Sequence, residues 1–195
     1  MLAVIRADAS TSIGSGHVMR CLTLAHRLQK EKNAKVVFVM RVLPGNLIGV
    51  VEKQEFEVLK LPLANQKYSL SGYGLWLTVP MEVDAQQTIE VLQHYLQEHG
   101  CDVADRLIVD SYALDEQWEL LLRSYCNEIM VIDDLANRRH DCDILLDQNF
   151  YLNKAVRYAG LVPAHCKMLL GPEHALLREE FYEAKKHLRK RDGNI

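Results

Sequence analysis

The chain has 195 residues, 49% of them hydrophobic and 25% charged, with a formal net charge of −3. These values describe a globular domain with enough apolar residues for a real core, and they exclude a disordered tail, a membrane protein and a basic nucleic-acid-binding module. Five cysteines, Cys21, Cys101, Cys126, Cys142 and Cys166, are odd in number, far apart and without a CxxC pair, which argues against a disulfide framework or zinc knuckle and for reduced thiols in a cytoplasm.

At the N-terminus, "MLAVIRADAS" carries Arg6 and Asp8 inside the early apolar stretch, which is incompatible with a signal h-region, and no later run approaches membrane length. In chain order, the runs "LAVI" (2–5), "VVFVM" (36–40), "FEVLKL" (56–61), "RLIVD" (106–110), "EIMVID" (128–133), "DILLD" (143–147) and "KMLL" (167–170) are short and nearly continuously apolar. Such runs suit strands buried on both faces. Helical patterns fall between them at about 17–31, 45–53, 84–98, 114–125 and 173–190; Val18, Cys21, Leu22, Ala25 and Leu28, for example, share one helix face. This alternation predicts an α/β fold with a doubly wound, mostly parallel sheet. Segment 62–80, "PLANQKYSLSGYGLWLTVP", breaks the rhythm and is expected as a long loop over the ligand end of the sheet. The charged stretch from "GP" (171–172) to "DGNI" reads as a linker helix over 172–195, after a domain over 1–171.

The first βα turn, residues 8–17, lies where parallel sheets collect ligands. Ser10, Thr11 and Ser12 offer hydroxyls, Gly14 and Gly16 permit close backbone approach, and a helix start presents unpaired N–H groups. Together these make an anion site. Met19 stands where a dinucleotide fingerprint needs its third glycine, and no GK[ST] string occurs, so neither NAD nor a Walker-type ATP site is expected.

His17 is read in two ways. In the first turn of a helix the dipole disfavours the imidazolium, leaving a neutral ring able to take a proton, with Arg20 one turn on reinforcing this and attracting phosphate; alternatively His17 only caps the helix or hydrogen-bonds a phosphate. Asp110, Ser111 and Tyr112 follow the fourth strand, and Asp133 and Asp134 the fifth. Asp133 is expected to cap or to bond loop amides, while Tyr112 could equally pack or orient a water or phosphate. "RRHDCD" (138–143) offers His140, Asp141, Cys142 and Asp143, but adjacent residues point in different directions and no second cluster completes a tetrahedral zinc set.

Five blocks, "RADASTSIGSGHVMRCLTLA" (6–25), "VDSYALD" (109–115), "VIDDLANRRHDCDILLDQN" (131–149), "YAGLVP" (158–163) and "LLGPEHALLREEF" (169–181), resemble the PseG family. These are UDP-2,4-diacetamido-2,4,6-trideoxy-β-L-altropyranose hydrolases of bacterial pseudaminic acid biosynthesis, related to GT-B glycosyltransferases. The resemblance implies a Rossmann-like N-terminal half of a GT-B fold that removes UDP by attack of water at the anomeric carbon, with inversion and without metal or cofactor. It puts the catalytic base on His17 and the active-site tyrosine on Tyr112. Ser12, Gly14, Gly16, Arg20 and Asp110 are then expected on the substrate side, the first three near the diphosphate. Family members continue into a second Rossmann-like domain that supplies most nucleotide contacts, so this chain is expected to be an N-terminal piece with little activity alone. Two alternatives are an acceptor-side domain of a GT-B glycosyltransferase and a noncatalytic half-module of a split enzyme that meets its C-terminal domain in trans.

Overall fold

The computed structural model describes residues 1–178, 180 and 181. Seven strands form one sheet: β1 (Leu2–Ala7), β2 (Lys35–Arg41), β3 (Glu57–Leu61), β4 (Ala104–Asp110), β5 (Cys126–Ile132), β6 (Ile144–Asp147) and β7 (Lys167–Leu170), ordered β3-β2-β1-β4-β5-β6-β7. Every pairing is parallel, with Val4 opposite Val37 on one side and Leu107 on the other. Each apolar run became a strand; in the inner strands residues such as Val4, Ile5, Val37, Phe38, Leu107 and Ile108 are fully buried, one set on each face, whereas the edge strands β3 and β7 are mostly half-buried or exposed. Only a sheet covered on both sides can bury consecutive residues in this way.

The covering helices are α1 (Gly16–Lys32), α2 (Ile48–Lys53), α3 (Met81–Glu98) and α4 (Glu116–Leu122). Val18, Cys21 and Ala25 of α1 and Val51 of α2 pack with Ile5 and Phe38 on one face; Ile89 and Leu92 of α3 and Trp118 of α4 pack with Val4 and Val37 on the other. The sheet is therefore doubly wound, and the winding reverses between β1 and β4. Ligand crevices in such sheets open at that point, beyond the carboxyl ends of the strands.

Two fully buried arginines sit inside the sheet. Arg6 of β1 donates to Asp84 of α3 through Nη2 at 2.7 Å and Nε at 3.3 Å, and Arg41 of β2 reaches the same carboxylate through Nη2 at 2.7 Å. Trp118 Nε1 adds a third donor at 3.0 Å. Burial alone would push Asp84 upward, but the two guanidinium groups outweigh it and hold the carboxyl below its usual range. Arg41 Nη1 also donates to the Pro62 carbonyl at 2.6 Å, which ties the start of segment 62–80 to the carboxyl end of the sheet. That segment contains a 3-10 turn, Gly72–Trp76.

The expected C-terminal helix does not begin at 173. Residues Pro172–His174 form a single 3-10 turn and 175–178 carry no helix; most of the remainder of the expected linker over 172–195 lies outside the described residues. No helix among the described residues is long and apolar enough to cross a membrane.

Candidate active site

The site is built at the reversal point. After β1 the chain turns tightly: the Gly14 N–H donates to the Ser10 carbonyl at 2.9 Å, and Ser10 Oγ accepts from the N–H groups of Ser12 and Ile13 at 3.2 and 3.0 Å. Gly14 has φ +81°, a left-handed conformation that a side chain would strain. Helix α1 then begins at Gly16 without a side-chain cap from Ser15. Ser12, Gly14 and Gly16 are exposed together on this turn, and the first N–H groups of α1 add the positive end of its dipole.

His17 occupies the first turn of α1 and is 8% exposed. Its Nδ1 lies 2.6 Å from Asp110 Oδ1, at the carboxyl end of β4. Arg20, one turn later, grips both oxygens of that carboxylate, through Nε to Oδ2 and Nη2 to Oδ1, each at 2.6 Å. Asp110 is fully buried. Desolvation would raise it, but the bonds from Arg20 and His17 prevail and keep it below the ordinary carboxylate range. An ionised carboxylate only accepts hydrogen bonds, so Nδ1 carries a proton, and in the neutral form of the ring the lone pair sits on Nε2. Arg20 Nη2 also stands 3.3 Å from Nδ1; the shorter contact with the carboxylate decides the tautomer.

Asp110, expected on the substrate side, lies beneath the imidazole, with its oxygens bonded to His17, Arg20 and the Cys21 thiol. Arg20 is committed in the same way: its guanidinium faces Asp110 and, at 3.7 Å, Asp134.

Tyr112 packs edge-on against His17, with ring centroids 4.8 Å apart and planes at 82°. Its hydroxyl donates to Asp134 Oδ1 at 2.5 Å. Partial burial, and then this bond and the charge of Asp134, push the phenol well above its ordinary value. These effects favour the neutral phenol. The 3-10 turn of segment 62–80 completes the wall: Trp76 lies 6.0 Å from His17 and 5.7 Å from Tyr112 between ring centroids, and Tyr73 packs on both Trp76 and Tyr112. Segment 62–80 thus covers the ring end of α1, as expected of it.

Asp133 is structural. It accepts from the Ala136 N–H at 2.9 Å and from Arg138 Nη1 at 2.7 Å. In "RRHDCD" the candidate ligands are otherwise engaged: His140 Nδ1 bonds the buried Glu119 at 2.6 Å, and Asp141 and Asp143 both bind Arg123. The structure brings together His17 and Arg20 with Asp110 and Tyr112, two pairs separated by some ninety positions in the chain. It adds Asp134, Tyr73 and Trp76, which the sequence reading did not assign to the site. The only local signal for Asp134 was its place after an apolar run, shared with Asp133.

The geometry can now be set beside known proteins. Over 191 residues the chain is 29% identical to the UDP-2,4-diacetamido-2,4,6-trideoxy-β-L-altropyranose hydrolase of Campylobacter jejuni, covering 98% of this chain and 57% of that one. The sequence is similar to a UDP-sugar hydrolase. It is also 23% identical over 197 residues to the uncharacterized protein MJ1062 of Methanocaldococcus jannaschii, covering 100% of this chain and 34% of that one. The chain therefore spans little more than half of the first relative and about a third of the second. No protein-family model matches. Among solved structures, Arabidopsis thaliana UGT89C1 complexed with UDP-L-rhamnose aligns over 91% of this chain and 52% of its own, with a TM-score of 0.54 and 14% identity. Acinetobacter baumannii MurG aligns over 87% of this chain and 44% of its own, with a TM-score of 0.50 and 11% identity. These likenesses bear on the fold alone: a Rossmann-like parallel sheet with flanking helices, matched over about half of each neighbour.

Proposed function

We propose that this chain is the base-bearing half of a UDP-sugar hydrolase that releases UDP from a 2,4-diacetamido-2,4,6-trideoxyhexose nucleotide. Water attacks the anomeric carbon while His17 Nε2 takes one of its protons. The bond from that carbon to the phosphate oxygen breaks, and UDP leaves with the electron pair. The configuration at the carbon inverts. The exposed turn of Ser12, Gly14 and Gly16, with the free N–H groups of α1, receives the charge that develops on the leaving diphosphate. Neither a metal nor a cofactor enters the scheme. A second Rossmann-like domain, continuous with residues 172–195 or supplied separately, closes the cleft over the uridine; the 57% coverage of the Campylobacter hydrolase supports this.

The observation that carries the reading is the 2.6 Å hydrogen bond from His17 Nδ1, at the N-terminus of α1, to Asp110 Oδ1. It fixes the tautomer that a general base needs, in a chain similar over 98% of its length to a UDP-sugar hydrolase.

The test is to incubate the chain with the UDP-sugar, alone and mixed with a separately produced second domain, and to measure UDP and reducing sugar. Acceptor-independent release that His17→Ala lowers by about 10²–10⁴-fold is expected. Release only in the presence of an acceptor hydroxyl would make the protein a glycosyltransferase. Release unaffected by His17→Ala would remove the proposed base.

A further inference from the structure

The Tyr112 hydroxyl has one proton, and it is spent on Asp134 at 2.5 Å. Asp134 is held from several sides. Its Oδ2 accepts from Asn149 Nδ2 at 3.2 Å and faces Arg20 Nη1 at 3.7 Å, while its backbone carbonyl accepts from the Tyr151 hydroxyl at 3.2 Å and Arg157 Nη2 at 2.7 Å. A carboxylate cannot donate in return, so the phenolic oxygen has only lone pairs to offer on its other side. The adjacent His17 ring is in the same condition, because its Nδ1 proton is spent on Asp110 and Nε2 is an acceptor. Two aromatic rings in edge-on contact at 4.8 Å thus both present acceptors and no donor.

We propose that Asp134 is a positioning residue that selects water as the nucleophile. By taking the Tyr112 proton it makes that hydroxyl an acceptor, and the pair formed by Tyr112 Oη and His17 Nε2 binds a molecule with two hydrogens to give. Water has two and keeps an oxygen lone pair for the anomeric carbon. An alcohol has one and leaves one of the acceptors without that hydrogen bond. On attack, the hydrogen facing His17 moves to Nε2, the hydrogen on Tyr112 stays with the new sugar hydroxyl, and the carbon–oxygen bond to UDP breaks with its electron pair. The proposal rests on the hydrolase reading above and adds the reason that an acceptor sugar is not used.

Asp134→Asn reverses the arrangement. The amide oxygen turns to Arg20 and the amide N–H to Tyr112, whose proton then points into the site. In whichever preparation turns over in the assay above, the UDP-sugar is offered in water containing methanol, and the ratio of methyl glycoside to free sugar is measured. This ratio does not depend on how much protein is folded. The expected result is a rise of about tenfold or more in Asp134→Asn and in Tyr112→Phe, with no further rise when the two are combined. An unchanged ratio in Asp134→Asn, or equal and additive effects in the double variant, would overturn the proposal. If instead His17→Ala turns over normally, the hydrolase reading itself fails, and this inference fails with it. A second readout needs no substrate: in the 195-residue chain with ring-labelled tyrosine, Asp134→Asn should bring the NMR titration of Tyr112 down toward that of an ordinary phenol, and an unmoved titration would show that the Asp134 bond does not hold the hydroxyl.

Discussion

Asp110→Asn separates the electrostatic role of this carboxylate from its shape. Asparagine is nearly isosteric, but one of its two positions must now hold an N–H pair. Facing Oδ2's partners, that pair would meet Arg20 Nε and the Cys21 thiol; facing Oδ1's partners, it meets Arg20 Nη2 and His17 Nδ1. Only His17 can adapt, by moving its proton from Nδ1 to Nε2, so the amide settles toward His17 and the base lone pair is lost. The comparable tautomer error in a serine-protease triad lowers kcat about 10⁴-fold, and we expect a loss of about 10³–10⁴-fold here, or about 4–5.5 kcal/mol of barrier. Stability falls as well, because Arg20 loses its charge partner. Breaking a fully buried pair costs about 3–5 kcal/mol; since the Arg20 side chain is 14% exposed and Asp134 stands 3.7 Å away, the lower end, about 3 kcal/mol, applies. For a chain of this size that is a fall of about 6–12 °C in Tm. Thermal melts followed by circular dichroism and UDP release measured on the same preparation test both halves. A variant melting within about 2 °C of the parent and turning over within about tenfold of it would refute the reasoning.

Acid should destabilise the fold over a defined range. Asp84, Asp110 and Asp133 are all held low, burial being outweighed by Arg6 and Arg41, by Arg20 and His17, and by Arg138 respectively. Their contribution is present above the unfolded carboxylate value of about 3.9 and is lost as pH falls below it, so urea midpoints should stay flat from pH 7 to about pH 5 and drop below about pH 4. A midpoint that falls already between pH 7 and pH 6 would contradict this. Asp84→Asn leaves the fully buried Arg6 and Arg41 without their shared counter-charge and should cost about 3–5 kcal/mol, read as a lower urea midpoint or loss of soluble protein; a midpoint equal to the parent's would count against it. Trp76→Ala should uncover His17, so that diethyl pyrocarbonate modifies it several-fold faster by mass spectrometry, whereas an unchanged rate would show that Trp76 does not shield the ring.

The sheet was legible in the sequence because burial on both faces leaves a mark that needs no partner: "VVFVM" and "RLIVD" can only be central strands of a covered sheet. The turn from Ser10 to His17 was legible for a similar reason, since glycines and hydroxyls before an amphipathic helix are local chemistry. Asp110 was identified, but its burial and its bond to His17 depend on α1 and β4 meeting across 93 positions and could not be read locally. Arg6 entered the sequence reading only as a charge inside an apolar stretch; that Arg6 and Arg41 both point to one carboxylate of α3 follows from packing and not from spacing. Asp134 was noted only for following the fifth strand and Trp76 only as part of segment 62–80, because neither sits in a periodic pattern. The helix expected from 173 does not form at 175–178, where the chain runs without helical backbone.

The proposed chemistry is tested most directly by hydrolysis of the UDP-sugar in ¹⁸O-labelled water, with the parent and His17→Ala compared side by side. Water activated by His17 at the anomeric carbon predicts label in the sugar's new hydroxyl, none in UDP, and no measurable incorporation in the variant. Label in the terminal phosphate of UDP, or sugar labelled equally fast without the imidazole, would contradict it.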